Sequence, residues 1–573
     1  MSRKSKRKLA KSIVLSSMIA GAGLLMLAAP SAPVLAAEDD FTDPATTPPK
    51  APPPANSETE ASLQKKLPAS TPDYFKKIYS HFMKQPLPAK VFDQGGIPVV
   101  IPKLEIDKDP NGETGSYQPL GQTVTSQNAF FKSLGTNGRS CVTCHQPASG
   151  MSVSLRNIEK RLKKTKGADP IFAPVDGANC PTLVPASETS GSVLGGYKGK
   201  SKKDFMAARS LLLSRGVFRI ALPLKKPAEF KVEVLSDPTT CNTDSLTNVN
   251  ADGDQIISVF RRPLMSANLH FKTAFTTFPI PGIPAPERSG NIMWDGREPT
   301  LRSQAISATL GHAQALTPPS DKDLDEIVAF ETGIFSAQYS DKQAGILSAS
   351  GGLGGPVNLA ANGKEPPAFG PVAFDEFAAW ATPPGSGAAK RERESIARGE
   401  ALFHGVGKNA QGSVTRGAFI INGVNGFNDL VGPNAPGTCS TCHNFKHSGA
   451  DVLANSQRDI GIGGHAVSVG GPPPSKDLPI FKVSGCAPGT LQWNPAATEA
   501  VTNDLGKATL TGRCADIGVS TVPSLRALSA HEPYFRDGSA KTLMDVVNVY
   551  DKRFSIGLTK QEKQDLANFL SAL

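Results

Sequence analysis

The sequence predicts a mainly α-helical fold of two similar units with long loops, and a β-containing insertion in the first. Three observations carry this prediction. The chain matches itself at a shift of 242 residues, and one Cys-x-x-Cys-His pentapeptide occurs twice. Glycine and proline are also abundant, at 54 and 48 of 573 residues, as long irregular loops require. Hydrophobic residues at 39% and charged residues at 20% are ordinary for a soluble globular chain. The length suits two or three domains with sizeable cores.

The chain opens with Arg3, Lys4, Lys6, Arg7, Lys8 and Lys11, then an apolar stretch, then the small-x-Ala pattern Val34-Leu35-Ala36. Residues 1–36 therefore read as an export signal peptide, with an uncleaved anchor as the other reading. No later segment approaches the ~20 apolar residues of a membrane span. The mature chain is expected to be soluble and periplasmic, where disulfides are permitted. Residues 37–62, acidic and Pro-rich, read as a disordered linker. The formal charge of +10 owes six cations to the leader, so no basic footprint is left for nucleic acid. The boundaries expected for the two units are 63–385, with its insertion at 150–290, and 386–573.

The cysteines sort into two chemistries. Cys141-Val142-Thr143-Cys144-His145 and Cys439-Ser440-Thr441-Cys442-His443 both have the c-type haem attachment pattern. The thiols make thioethers to the haem vinyl groups, and His145 and His443 are placed to bind iron. A zinc half-site or a redox dithiol is the other reading of one such motif. Two copies in an exported chain favour two covalently bound c-type haems. Cys180, Cys241, Cys486 and Cys514 allow three pairings. The sequence-local choice is Cys180–Cys241 with Cys486–Cys514, as structural bridges.

The repeat locates the other face of each haem. Asp295-Gly296 falls on Asp537-Gly538, Thr300-Leu301 on Thr542-Leu543, and Asp323-Leu324 on Asp565-Leu566. The last helix, 559–573, opens with a Thr559-x-x-Glu562 capping box, and Leu566, Phe569, Leu570 and Leu573 form its apolar stripe. Leu324, Ile327 and Val328 repeat that stripe in the first copy. Short helices wrapped around haem are how cytochrome c domains are built. In the second copy Tyr550 is the candidate sixth iron ligand, with a packed core tyrosine as the other reading and Met544 as the other candidate ligand. Its counterpart in the first copy is Ala308, which cannot bind iron. One six-coordinate haem and one haem with an open or differently guarded face are expected.

Trp294-Asp295-Gly296-Arg297 with Leu301 and Gln304-Ala305, and Pro533-Tyr534-Phe535-x-Asp537-Gly538 with Thr542-Leu543, resemble the bacterial dihaem cytochrome c peroxidase/MauG family. The resemblance covers roughly 120–573. It implies a peroxide site at the N-terminal haem, an electron-transfer haem at the C-terminal motif, and Trp294 as a relay between them. It places Tyr550 where MauG-like members carry tyrosine and classical peroxidases methionine. Hydrogen peroxide is the implied substrate, and a small redox protein or other donor the implied source of electrons. A calcium ion between the domains is also implied, although His531 stands where a threonine is expected.

The chain departs from that pattern in three places. Gln304 matches the family's distal glutamine, but Gln314 replaces its catalytic glutamate and cannot shuttle a proton. His312, two residues earlier, stands where proline is usual. It could act as distal acid–base, ligate the iron, or sit satisfied at the surface. Arg536 replaces a histidine and could pair with a haem propionate. No histidine lies between His145 and His270, so the family's reduction-gated loop is not expected. Two competing functions are a haem oxygenase of the dihaem rubber-oxygenase type and a dihaem electron-transfer cytochrome. The insertion carries β-like runs at 216–222 and 230–234 and is expected over the first haem. The 446–515 stretch is expected to be a haem-covering loop tied by Cys486–Cys514.

Overall fold

The computed structural model describes residues 100–184, 196–197, 201–242, 255–274, 292–362, 372–405, 417–451 and 457–573. The expected leader, linker and start of the first unit lie outside the described residues. Five helices organise the repeat: α1 (Leu301–Gly311), α2 (Asp321–Gly333), α3 (Gly387–Phe403), α4 (Leu543–Arg553) and α5 (Lys560–Ser571).

The internal repeat is a structural repeat. Thr300 and Thr542 cap the 11-residue helices α1 and α4, accepting from Ser303 N at 3.0 Å and from Asp545 N at 3.1 Å. Both caps are reciprocal boxes, which satisfy donors that a bare helix start leaves orphaned. Before each helix the chain makes the same tight turn, closed by the bridges Ile292–Glu298 and Tyr534–Ala540. Gly296 and Gly538 sit in these turns at φ 71° and 65°, which explains the glycine in both Asp-Gly pairs.

The closing helices form as the periodicity predicts. The Thr559–Glu562 box caps α5, with Glu562 N 3.3 Å from Thr559 Oγ1 and Thr559 N 2.8 Å from Glu562 Oε2. Leu566, Phe569, Leu570 and Leu573 are buried against Phe374, Phe377, Trp380 and Ile396. Helices α3 and α5 touch backbone to side chain at Gly399, where an added Cβ would lie 2.0 Å from Asp565 O and 2.5 Å from Phe569 Cβ. In the first unit Leu324 and Ile327 of α2 join Phe130, Phe131, Val142 and Met151 in a second core. Val328 is only partly buried there.

The sheets are small. Phe218–Leu224 pairs antiparallel with Gln255–Arg261, and Lys231–Ser236 is the strand expected near 230–234. That strand pairs with Ile480–Ser484, which in turn pairs with Glu499–Thr502. The insertion and the 446–515 stretch therefore share one sheet and one core, built on Leu222, Phe230, Ile257, Phe481, Val483 and Trp493. Val232 and Val234 need an apolar partner, and they find it opposite Val483 and Phe481. Cys180 pairs with Cys241 and Cys486 with Cys514, at Cα separations of 5.1 and 5.7 Å. A four-stranded sheet that composition does not announce joins Leu104–Lys108, Gly112–Tyr117, Phe335–Asp341 and Gly345–Ile346. No helix among the described residues is long and apolar enough to cross a membrane.

Candidate functional site

Both pentapeptides adopt one local structure. Cys141–Thr143 and Cys439–Cys442 each form a single helical turn, capped by reciprocal Ser140/Thr143 and Thr438/Thr441 boxes. The turn brings the histidine amide onto the first cysteine's carbonyl, at 3.0 Å for both His145 and His443. Each imidazole then donates its Nδ1–H to the carbonyl six residues on, His145 to Met151 at 3.2 Å and His443 to Gly449 at 2.8 Å. Met151 and Gly449 both have left-handed backbone, φ 58° and 68°, which turns those carbonyls back toward the rings. These bonds favour the tautomer with the proton on Nδ1. Burial also lowers the pKa of both imidazoles, His145 to about 4, so both are neutral at pH 7.

The two motifs face one cavity. It holds about 3300 Å³ of empty space, its open mouth included, and all four motif cysteines and both histidines line it. None of these four thiols is in a disulfide, whereas the other four cysteines are paired. Arg458 Nε and Arg536 Nε are buried without an acceptor among the described residues, and both arginines line the cavity. Lys272 lines it too, with its ammonium pushed down to about 8 by burial. Unbridged thiol pairs, neutral imidazoles, the desolvated Lys272 ammonium and unfilled arginine Nε donors fit c-type haem, whose propionates would supply acceptors and counter-charge.

The helices α1 and α4 present repeat-related faces to this space. Leu301, Gln304, Ala305, Ala308, Thr309 and His312 follow helical spacing and all line the cavity, as do Leu543, Val546, Val547 and Tyr550. Ala308 and Tyr550 occupy the same position of the two helices. The Tyr550 ring lies 6.5 Å from the His443 ring, centroid to centroid, and nearly edge-on at 61°. Burial pushes its phenol well above the usual range. Met544 packs against the helical core and is absent from the cavity lining.

Trp294 lines the cavity and is pinned from two sides. Its Nε1–H donates to Arg262 O at 2.7 Å, and its carbonyl accepts from Thr521 N at 2.7 Å. The flanking Asp295 is buried against Arg261 at 2.6 Å and Arg297 at 2.8 Å. Arg261 also makes a two-pronged pair with Asp504, at 2.7 and 2.8 Å. Arg536 completes this cluster, donating to Gly518 O at 2.8 Å and lying 3.5 Å from Asp504. These charges hold Asp504 and Asp295 well below the usual carboxylate range although burial opposes ionisation.

His312 caps the end of α1 and lies at the cavity, its Nδ1–H donating to Asp176 Oδ2 at 2.8 Å. Gln314 is not beside it. At φ 56° the chain reverses, and the buried Gln314 side chain turns to Asn137 Nδ2 at 3.2 Å, outside the cavity lining. Sequence reasoning missed Asp176, which sits in the insertion without any motif, and Glu331, a buried acid at the end of α2. Burial raises the Glu331 pKa to about 8, and its Oε2 has no partner among the described residues. His531 is buried beside the cavity with its pKa lowered to about 3, first by burial and then by Arg262. Among the described residues no group of three or more His, Cys, Asp or Glu side chains is placed to hold a metal ion.

No family model matches the chain. Over 160 residues it is 29% identical to cytochrome-c peroxidase IdrP1 of Pseudomonas sp. (strain SCT), a match covering 24% of this chain and 37% of that protein. The chain thus spans little more than a third of the curated relative's length. A crystal structure of a MauG-like protein associated with microbial copper homeostasis aligns with 54% of this chain and 82% of its own. The TM-score of that alignment is 0.26, at 16% identity. The chain is similar in part to a cytochrome c peroxidase, and its sequence likeness to that group is distant.

Proposed function

We propose that this protein is a periplasmic dihaem c-type oxidoreductase of the peroxidase/MauG kind, which reduces hydrogen peroxide at its N-terminal haem. The observation that carries the reading is the unequal pair of α1 and α4. They are identically capped helices facing one cavity with both Cys-x-x-Cys-His motifs, and one offers Tyr550 where the other offers Ala308. When bound, the haems supply one iron that takes the oxidant and a second that relays electrons.

The chain's own residues would act as follows. The cysteine pairs hold the two groups, and His145 and His443 present neutral Nε2 atoms to the irons. Tyr550 would hold the second haem from the side opposite His443 and keep small molecules from it. Ala308 leaves the first haem's face open to a small oxidant. Gln304 offers an amide to that face, and His312 exchanges protons there. Trp294, held rigid by Arg262 and Thr521, lies on the route between the two units. Gln314 supports the turn and takes no part in the chemistry. Electrons would come from a small redox protein or another external donor.

The test is stopped-flow absorbance of the diferric holoprotein mixed with one equivalent of hydrogen peroxide and no reductant. A fast Soret change is expected, because no histidine is available to gate the first haem between His145 and His270. No change until one haem is reduced would overturn the reading in favour of a gated or capped site.

A further inference from the structure

The insertion puts one residue in the site that no motif marks. We infer that Asp176 is a positioning residue for the first haem's face. It holds the Nδ1 proton of His312 so that Nε2 is the basic atom of that imidazole. The inference rests on the open-site reading above and adds to it how the proton acceptor is set.

The geometry is a buried acid behind a more exposed base. Asp176 Oδ2 accepts from His312 Nδ1 at 2.8 Å, and the side chains are 8% and 39% exposed respectively. The same oxygen accepts from Arg139 Nη1 at 3.2 Å. Arg139 is itself fixed by Pro170 O at 3.0 Å and Ala173 O at 3.2 Å, and it lies two residues before Cys141, which opens the first Cys-x-x-Cys-His motif. The main chain of His312 is held as well, its carbonyl accepting from Asn137 Nδ2 at 2.8 Å and from Arg139 at 3.3 Å. With ring and backbone both anchored, the imidazole cannot turn its other nitrogen to Asp176 without breaking this set.

The backbone shows that the placement is enforced. Asp176 has φ 62° and ψ −33° within a segment whose neighbour Val175 is extended, a conformation rarely adopted by a residue with a Cβ. The next residue, Gly177, has no room for a side chain, since an added Cβ would lie 2.7 Å from Ile171 O and 3.3 Å from Arg139 Nη2. Four residues beyond Asp176, the Cys180–Cys241 bridge ties the segment down. Burial opposes ionisation of Asp176, but His312 and then Arg139 more than offset it and hold the carboxyl below its usual range. An ionised acceptor on Nδ1 fixes the tautomer, as the carboxylate does in other Asp–His pairs. The free Nε2 can then take the proton that a hydroperoxide or hydrogen cyanide gives up when its anion binds.

The test compares two ligands of the first haem in the holoprotein. Cyanide arrives as HCN and must lose a proton, whereas carbon monoxide, bound to the reduced form, loses none. Asp176→Asn is expected to slow cyanide association by about 10²-fold, the scale of a lost acid–base group, with carbon monoxide association unchanged. His312→Ala should do the same, and the double variant should be no slower than His312→Ala alone, since the two act as one unit. Cyanide association unaltered in Asp176→Asn, or both ligands slowed alike, would overturn the proposal. If Asp176→Asn does not fold, Asp176→Glu keeps a charge facing Arg139 while displacing the acceptor oxygen from Nδ1. It should also slow cyanide alone by at least about 5-fold, and equal rates for both ligands would be equally fatal. A wild-type first haem that binds neither ligand would instead sink the open-site reading itself, and Asp176's role with it.

Discussion

Tyr550 and Ala308 stand at the same position of two identically capped helices, and they differ in whether an oxygen faces the cavity. Tyr550 stands edge-on to His443 at the cavity, 6.5 Å between centroids, and is the proposed ligand on that side of the second haem. Tyr550→Phe in the holoprotein should therefore alter the ligand spectrum of the second haem while leaving both haems attached. An unchanged spectrum would remove Tyr550 as a ligand. The repeat supplied the register that singles out Tyr550 and Ala308. No such register places Gln314, which lies ten residues after Gln304. A left-handed residue at φ 56° turns that side chain to Asn137, and no helical spacing announces such a reversal. Asp176 is the opposite case, a residue brought to His312 from 136 positions away by an irregular segment.

The repeat unit is a turn, a cap and a helix, and its parts have separate physical causes. The Asp-Gly pair makes the turn, the threonine caps, and the apolar spacing buries one face. These are local effects, and the self-match at a shift of 242 residues marks both copies before any packing is known. The strand at 231–236 shows where local reading stops. Its β character follows from Val232 and Val234, but its partner Ile480–Ser484 belongs to the other half of the chain. The buried ionic cluster joins elements in the same non-local way: Arg261 ends one strand of the insertion, Asp295 lies in the Trp294 turn, and Asp504 follows the strand Glu499–Thr502. Removing Arg261 would take from the buried Asp504 its two-pronged partner and from Asp295 its shortest one, leaving them Arg536 at 3.5 Å and Arg297 at 2.8 Å. Arg261→Met is therefore expected to cost roughly 3–5 kcal/mol in urea unfolding of the holoprotein. A loss below about 1 kcal/mol would show that the cluster is solvated or replaceable.

At the scale of the molecule three cores hold the cavity between them, two helical and one shared by the insertion with the 446–515 stretch. Several carboxyls are buried in these layers at a cost that depends on pH. Burial, and then the nearby Glu376, raises Glu400 to about 7. A carboxyl whose folded value lies above its unfolded one binds its proton more tightly when folded. The stability it contributes is present at low pH and is lost as pH rises from the ordinary range, near 4.5, to about 7. Unfolding of Glu400→Gln at pH 5 and 7.5 should show a smaller decline than wild type, by roughly 2–3 kcal/mol. An identical decline would mean that Glu400 does not titrate in this range. The sequence by itself determined the two Cys-x-x-Cys-His motifs, the repeat and the capped closing helix, because each depends on residues close in the chain or on a register that repetition makes visible. Only the tertiary structure decided that both motifs open on one cavity, that Trp294 is pinned by Arg262 and Thr521, and that His312 has Asp176 behind it. Those arrangements come from packing and charge pairing between segments far apart in sequence, where no periodicity or spacing carries the information.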